Sequence, residues 1–194
     1  MAEPTELWIA RHGETEWTIS RKHTGRTDVP LTPRGEQQAT ALGARLRDMR
    51  FGLVLASPLA RAMRTAELAG FADQVEEERD LMEVDYGEYE GRTTAEITRA
   101  RPGWDLWRDG CPGGETVEDA AVRADRVLAR VRGSELPVLL VGHGHMSRVL
   151  AARSIEYPPA LGRHLGLDTA ALCIIGSEHG EPSIRDWNDT HHLA

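Results

Sequence analysis

The chain has 194 residues and a formal net charge of −8, with 23 Lys and Arg against 31 Asp and Glu. This length suits one α/β domain with a buried core. The acidic balance disfavours nucleic acid or an anionic membrane surface as a partner, and the two cysteines are too few for a disulfide framework. The sequence shows no secretory signal pattern and no apolar run near the ~18 residues of a membrane span. We therefore expect a cytoplasmic protein.

Two short apolar runs in the first third of the chain predict buried strands. Residues 7–10 end abruptly in Arg11 and His12, and residues 53–56 end at Ser57. Each run is uniformly apolar instead of alternating, which is typical of strands covered on both faces. In both cases the residues that follow the strand are polar, and they are candidates for a catalytic or binding site.

Capping residues and apolar spacing predict the helices. Thr32 and Pro33 suit the N-cap and first position of one helix, and Thr116 suits the N-cap of a later one. The alanine-rich stretch 59–69 predicts another helix. The apolar positions that define the faces of the two capped helices are Ala39, Leu42, Leu46 and Met49, and then Val117, Ala120, Ala121, Ala124, Val127, Leu128 and Val131.

The second half of the chain begins with a segment of weak periodicity, residues 84–115, which we expect to form an excursion over the active face. Residues 138–141 then predict a third buried strand, which ends just before His143 and is followed by a helix. Two late strands are expected at 170–175 and 183–187.

This alternation of strands and helices predicts a three-layer α/β/α sandwich with a mostly parallel central sheet, in a single domain over residues 1–194. Ligands of such folds bind beyond the carboxyl ends of the strands. Because parallel strands end at the same edge of a sheet, polar residues from distant parts of the chain should meet there. The side chains expected at that edge are Arg11, His12, Arg61 and His143.

These side chains suit a phosphate ester. A phosphate dianion is bound by positive charge and N–H donors, and the planar fork of arginine supplies both, so Arg11 and Arg61 are candidates. His12 could act as nucleophile, general base or metal ligand. If protonated, His143 would add a third cation. Alternatively, His143 and His145 would form a metal-binding pair if both lay on a strand.

Proton donation to a leaving alkoxide is a further requirement of ester cleavage. Composition alone does not show which carboxyl group of residues 80–91 is the proton donor. No cluster of carboxylates lies beside the histidines to complete a metal site. We therefore expect no metal and no cofactor. The candidate donors are Asp80, Glu83, Asp85, Glu88 and Glu90.

Several segments, taken in chain order, together resemble the histidine phosphatase superfamily, the phosphoglycerate mutase-like group. The resemblance covers nearly the whole chain and implies a phosphoglycerate mutase-like fold. The matching segments are residues 11–17 (RHGETEW), 24–32 with Gly35, 57–62 with Thr65 and Ala66, 81–83 with Tyr86, Gly87, Glu90 and Gly91, then 113–116 and 142–144.

The resemblance also implies roles for single residues. His12 would be the phosphorylated nucleophile and Glu83 the proton donor, a choice that the residues alone leave open. Thr24 and Gly25 fall in the loop that lines the substrate pocket in relatives. The implied phosphate pocket consists of Arg11, Arg61 and His143.

Two departures from the mutases of this group point to its phosphatase branch. Thr18 and His145, which we place among the substrate contacts, stand where mutases usually have Asn, and residues 92–111 contain no adjacent arginine pair. The closer resemblance is to sedoheptulose-1,7-bisphosphatase-type enzymes and bacterial acid phosphatases. We expect a phosphomonoesterase that acts on small phosphorylated metabolites, with sugar phosphates foremost, and phosphoglycerate mutase as the alternative. A homo-oligomer remains open, because relatives of this fold vary.

Overall fold

The structure, a computed structural model, describes residues 5–194 and is organised around one six-stranded sheet. The strands stand side by side in the order β3-β2-β4-β1-β5-β6. The first four of these are parallel to one another, whereas β5 and β6 are antiparallel to their neighbours. The strands are β1 (Leu7–Arg11), β2 (Leu53–Ala56), β3 (Val75–Glu77), β4 (Val138–Gly142), β5 (Leu172–Glu178) and β6 (Glu181–Asp189).

Helices cover both faces of this sheet. A turn of π-helix, Glu67–Phe71, follows the third of them, and short 3₁₀ turns at Arg79–Leu81 and Gly87–Tyr89 precede the fourth. The α-helices are α1 (Glu16–Ile19), α2 (Pro33–Leu46), α3 (Ala60–Ala66), α4 (Thr94–Ala100), α5 (Leu106–Asp109), α6 (Val117–Val131) and α7 (Gly144–Ser154).

Alternate residues of the central strands supply two separate cores. On β4, Leu140 packs with α6 and α7, whereas Leu139 packs with α2 and α3. On β1, Ile9 faces the first core and Trp8 the second. Successive side chains of a strand point to opposite faces, so an unbroken apolar strand fills both cores. The predicted three-layer sandwich with a mostly parallel sheet is confirmed.

The capping predictions are confirmed in detail. The Thr32 hydroxyl accepts from the backbone N–H of Gly35, and α2 begins at Pro33. Thr116 and Asp119 form a reciprocal capping box at the start of α6. Each cap satisfies backbone donors that the first turn of a helix leaves unpaired.

Three boundary predictions were wrong. Met49 lies outside α2, because the helix ends at Leu46 and the Met49 N–H returns to the Leu46 carbonyl in a turn. The predicted helix 59–69 is split: α3 gives way to the π-turn, within which Gly70 has a φ of +94°. Strand β5 starts later than predicted because Ala170 adopts a left-handed φ of +55°, which breaks the strand conformation.

Strand β3 was missed because this edge strand has no apolar run. Two of its three residues are exposed glutamates, and the third, Val75, is partly buried. Strand β5 extends three residues beyond its predicted end at 175, and β6 extends two residues beyond its prediction at each end. The ends of the 84–115 segment meet, since the Glu115 N–H donates to the Asp85 carbonyl. No helix within residues 5–194 is long and apolar enough to cross a bilayer.

Replacing a residue of the central strand should test the two-core arrangement. Leu139 is fully buried on β4, so Leu139→Ala should lower the free energy of unfolding by about 2–5 kcal/mol through lost burial and the cavity left behind. Urea denaturation followed by circular dichroism measures this change. Leu136→Ala is the matched control, because Leu136 is half-exposed and should lose about 0.5 kcal/mol or less. Equal losses in the two variants would contradict the described core.

Candidate active site

The carboxyl ends of three neighbouring parallel strands bring distant polar residues together. His12 follows β1, His143 follows β4, and Ser57 follows β2, which lies on the other side of β4. The imidazole centroids of His12 and His143 are 5.2 Å apart, with the rings inclined at 60°. The expected meeting of these strand ends at one edge is therefore seen in the structure.

Backbone contacts fix His12 in both position and tautomer. Its N–H donates to the Gly142 carbonyl at 2.9 Å, and its own carbonyl accepts from Ala170 at 3.0 Å. The ring nitrogen Nδ1 lies 2.7 Å from the Gly13 carbonyl oxygen. Since a carbonyl can only accept, Nδ1 carries the proton and Nε2 keeps its lone pair. Burial lowers the pKa of His12 well below its ordinary value, and Arg61 and Arg11 lower it further.

Two glycines allow the His12 turn to pack directly against the start of α2. A Cβ at Gly13 would collide with the Gly35 carbonyl oxygen, and a Cβ at Gly35 would collide with the Glu14 carbonyl oxygen. The Gly13 N–H also donates to the Thr65 hydroxyl at 3.1 Å, and that hydroxyl donates to the Arg61 carbonyl at 2.7 Å. The turn that carries His12 is thereby tied to α3, which carries Arg61.

Arg61 is fully buried. Its guanidinium donates from Nη1 to the Thr27 carbonyl at 3.0 Å, and from Nη2 to the carbonyls of Thr24 and Gly25 at 3.1 and 3.0 Å. Burial lowers the pKa of Arg61, whereas the negative charges of Glu83 and Asp28 raise it. Carbonyl dipoles therefore replace the water that this cation loses on burial.

Arg11 is held by a backbone carbonyl from a different part of the chain than the loop that holds Arg61. Its Nη1 donates to the Leu167 carbonyl at 2.6 Å. A Cβ built on Gly144 would lie 3.5 Å from the Arg11 guanidinium carbon and 3.6 Å from a carboxyl oxygen of Glu83. Arg11 and Glu83 therefore converge on the first residue of α7. Burial lowers the pKa of Arg11, and the Glu83 charge raises it.

His143 is fully buried, and its Nε2 lies 2.7 Å from the Ser57 hydroxyl. Burial lowers the pKa of His143 well below its ordinary value, and Arg61, His12 and Arg11 lower it further. The ligand-free protein thus holds this imidazole neutral at physiological pH. The expectation that a protonated His143 adds a third cation stays a prediction.

Three buried nitrogen atoms around His12 have no hydrogen-bond partner within residues 5–194. They are the Nε atoms of Arg11 and Arg61 and the Nδ1 atom of His143. Buried polar groups in folded proteins are nearly always paired, so three unpaired nitrogens on residues of one site point to a ligand-binding role. Two of them are cationic N–H donors, which indicates an anion.

Glu83 is buried and firmly positioned at the start of α7. One carboxyl oxygen accepts from the backbone N–H groups of Val84 at 2.9 Å and Met146 at 2.8 Å, and the other accepts from His145 at 3.0 Å. Of the five carboxyl groups in residues 80–91, this is the one that the structure places beside Arg11 and Gly144.

The four expected substrate contacts lie in different settings. The Thr18 hydroxyl donates to the Thr15 carbonyl and accepts from the Thr15 N–H, so it caps α1. Thr24 and Gly25 hold Arg61 with their backbone carbonyls. A substrate contact for these three residues and for His145 stays a prediction.

His145 belongs to an aromatic group beside Glu83. Its Nδ1 lies 2.7 Å from the Tyr86 hydroxyl, and its ring centroid lies 5.5 Å from Trp107 and 6.1 Å from His23. Burial lowers the pKa of His145 well below its ordinary value, and Arg148 lowers it further.

His143 and His145 do not lie on a strand, so the geometry that the predicted metal-binding pair requires is absent. His143 is the N-cap of α7 and His145 lies in the first turn of that helix, so their rings point to different partners. In the described part of the chain, no group of three or more His, Cys, Asp or Glu side chains is placed to hold an ion.

The residue patterns gave no role to Ser57, Thr65 or the Tyr86 hydroxyl, and they included Glu90 only among the candidate proton donors. Each acts on the site through a hydrogen bond to a residue far away in the chain, such as the pair of Tyr86 and His145 or that of Ser57 and His143. The resemblance to known motifs, which included all four positions, was the one signal that could have found them.

In its sheet order and covering helices the protein has the phosphoglycerate mutase-like α/β fold. The pattern of the histidine phosphatase superfamily (branch 1) matches residues 7–190, and the chain belongs to that family. The resemblance read from the sequence motifs is thereby confirmed, and the protein is an enzyme of the histidine phosphatase class.

Relatives with phosphatase names cover most of the chain. A Mycobacterium tuberculosis protein named acid phosphatase is 42% identical over 179 residues, 90% of this chain and 87% of that protein. Sedoheptulose 1,7-bisphosphatase of Saccharomyces cerevisiae is 35% identical over 176 residues, 74% of this chain and 65% of that protein. The solved structure of the M. tuberculosis open reading frame Rv3214 superposes with a TM-score of 0.89 at 40% identity, covering 95% of this chain and 97% of that one.

The lowered pKa values of the buried histidines predict an acid-sensitive fold. Below about pH 6.5 the unfolded chain binds protons on these imidazoles, whereas the folded protein keeps His12, His143 and His145 neutral. The free energy of unfolding should therefore fall as the pH drops from about 6.5 to 5. His143→Gln should reduce that slope by about 1.4 kcal/mol per pH unit, as measured by urea denaturation across this range.

The matched control for this measurement is His164→Gln, at an exposed histidine. Its slope should equal that of the wild type. A slope in His143→Gln that is equal to the wild-type slope would show that His143 takes up a proton in the folded protein as readily as in the unfolded chain.

Proposed function

We propose that the protein is a phosphomonoesterase of the acid phosphatase type, which hydrolyses small phosphorylated metabolites through a phosphohistidine on His12. The observation that carries this proposal is the trio of unpartnered buried nitrogens on Arg11, Arg61 and His143 around the His12 ring. A phosphoryl group has three oxygens that need donors during transfer, and charge on them is stabilised best by donors already held in place.

In the first step, the Nε2 lone pair of His12 attacks phosphorus, an N–P bond forms and the P–O ester bond breaks. The Gly13 carbonyl holds the Nδ1 proton and so directs Nε2 toward the substrate. The lowered pKa of His12 keeps that lone pair free of a proton even at mildly acid pH. Binding of the dianion would offset the repulsion between Arg11 and Arg61 and would favour a proton on His143.

Glu83 gives its proton to the leaving oxygen in this step, so that an alcohol departs. In the second step, a water molecule attacks phosphorus and passes a proton to the Glu83 carboxylate. The N–P bond breaks, its electron pair returns to His12, and inorganic phosphate leaves. The three backbone N–H groups that hold the Glu83 carboxyl support this assignment, because they keep it in one place through both steps.

Sugar phosphates are the foremost substrate class in this proposal. The relatives named acid phosphatase and sedoheptulose 1,7-bisphosphatase support it, since both names describe hydrolysis of phosphate esters. We further propose one domain over residues 1–194, with residues 84–115 over the active face, and the contacts of Tyr86 and Trp107 with His145 support that placement. A net charge of −8 supports a small ligand over nucleic acid.

Substitution of the nucleophile should abolish turnover. His12→Ala should lower kcat for a generic aryl phosphate by about 10³-fold or more, because no other group replaces the attacking nitrogen. Rapid quenching of the wild type with ³²P-labelled substrate should yield an acid-labile, alkali-stable phosphoprotein, which His12→Ala should not form. Undiminished activity in His12→Ala would refute the proposal.

Two controls sharpen that experiment. His164→Ala, at an exposed histidine, should retain both the activity and the labelled intermediate. Incubation with 3-phosphoglycerate, with and without 2,3-bisphosphoglycerate, should release inorganic phosphate without forming 2-phosphoglycerate. Formation of 2-phosphoglycerate faster than phosphate release would favour the mutase alternative.

The proton-donor role of Glu83 predicts a dependence on the leaving group. Glu83→Gln keeps an acceptor oxygen but has no proton to give, so kcat for an alkyl phosphate should fall about 10²–10⁴-fold. For p-nitrophenyl phosphate, whose leaving oxygen needs little protonation, the loss should be much smaller. With the wild type, kcat/KM for the alkyl ester should rise as the pH falls from about 9 to 6. Equal losses on both substrates, or a rate still rising at about pH 9, would exclude Glu83 as donor.

A further inference from the structure

Glu90 holds the loop that supports Arg61. It follows the 3₁₀ turn Gly87–Tyr89, and one of its carboxyl oxygens accepts from the backbone N–H groups of Gly25 at 2.9 Å and Thr27 at 3.0 Å. One carboxylate thus binds alternate N–H groups of a loop that lies about 65 residues earlier in the chain. Hydrogen bonds to a charged acceptor are among the stronger ones in proteins.

The same loop supplies the carbonyls that hold the Arg61 guanidinium. Gly25 and Thr27 donate their backbone N–H groups to Glu90, and the carbonyl oxygens of Thr24, Gly25 and Thr27 all accept from Arg61. The peptide plane is rigid, so the Gly25 N–H group that Glu90 binds fixes the direction of the Thr24 carbonyl in the same peptide unit. The contacts therefore run from Glu90 through the loop backbone to Arg61.

Further contacts leave the loop little freedom. The His23 N–H donates to the Arg92 carbonyl, and the Gly91 N–H donates to the His23 carbonyl, both at 2.9 Å. A Cβ at Gly25 would lie 2.5 Å from the second carboxyl oxygen of Glu90 and 2.8 Å from the Val84 carbonyl oxygen. Only glycine allows this close approach, so the loop and Glu90 fit one another directly.

Glu90 also contributes to the charge balance at Arg61. Its negative charge raises the pKa of Arg61, as do those of Glu83 and Asp28, against the lowering caused by burial. Glu83 is committed to the start of α7, and Asp28 accepts from the backbone of Ala60. Of these three carboxylates, Glu90 is the one that binds the loop around Arg61, through two backbone N–H groups of that loop.

We propose that Glu90 is a positioning residue for phosphate binding, which acts through the backbone of residues 24–27 to aim the Arg61 guanidinium at the phosphoryl oxygens. This inference rests on the proposed function. Glu90 itself touches no reacting atom. Without it the loop carbonyls turn toward solvent, Arg61 loses its fixed direction, and its Nε–H no longer meets the phosphate.

A double-mutant cycle between Glu90 and Arg61 tests this proposal. Glu90→Ala and the shorter Glu90→Asp should each lower kcat/KM about 10- to 100-fold and raise the inhibition constant of inorganic phosphate by a similar factor. In an Arg61→Ala background the same substitutions should change kcat/KM by less than about 3-fold. Glu90→Gln keeps the acceptor oxygen and should stay within about 3-fold of wild type.

Glu88→Ala is the matched control, because Glu88 is an exposed carboxylate two residues earlier on the same turn, and it should leave both constants unchanged. Thermal denaturation of each variant checks that the fold is retained. Equal effects of Glu90→Ala in the wild-type and Arg61→Ala backgrounds, or unchanged phosphate inhibition in Glu90→Asp, would overturn the positioning role alone. An Arg61→Ala variant as active as wild type would instead overturn the phosphate role of Arg61 on which the inference rests.

Discussion

The site depends on holding two cationic guanidinium groups and two imidazoles close together and shielded from water. Two neighbouring cations repel each other, and burial costs them hydration, since Arg61 is fully buried and Arg11 is partly buried. The protein offsets this cost with oriented carbonyl oxygens, from Leu167 at Arg11 and from the loop 24–27 at Arg61. It also keeps His12 and His143 neutral. The result is a set of donors held in place, as the proposed binding of a phosphate requires.

This arrangement requires the order of the strands. Because β4 lies between β1 and β2, the turns after three parallel strands open at one edge. The rings of His12 and His143 can then approach within 5.2 Å, although the two residues are far apart in the chain. The apolar strands make such an edge possible. Both of their faces are buried, so the polar residues that follow them lie beyond the strand ends. Stability of the sheet and placement of the site therefore have the same cause.

The sequence predicts those parts that local chemistry determines. Uniformly apolar runs predicted where the strands end, and Thr32 and Thr116 predicted where two helices begin. Met49 was misplaced because apolar spacing continues beyond the last helical turn, and β3 has no apolar run at all. Glu83 could be selected only by resemblance, since its distinguishing contacts come from backbone N–H groups about 60 residues away. The contacts of Glu90 with residues 25 and 27 and of Ser57 with His143 were not predicted for the same reason, because these partners are set by the tertiary fold.

The surroundings of Glu83 bear on what accepts the phosphoryl group. A phosphoglycerate acceptor would bring a carboxylate into the site, which calls for a free cation nearby. His145, Tyr86 and Trp107 instead form a neutral aromatic wall there, with the pKa of His145 lowered and that of Tyr86 raised. The adjacent Arg148 stacks on Trp107 and donates to the carbonyls of Gly162 and Arg163. Under the proposed mechanism, these neutral rings would suit the body of a leaving alcohol and would give an incoming carboxylate little to bind, which supports the proposal of water as the acceptor.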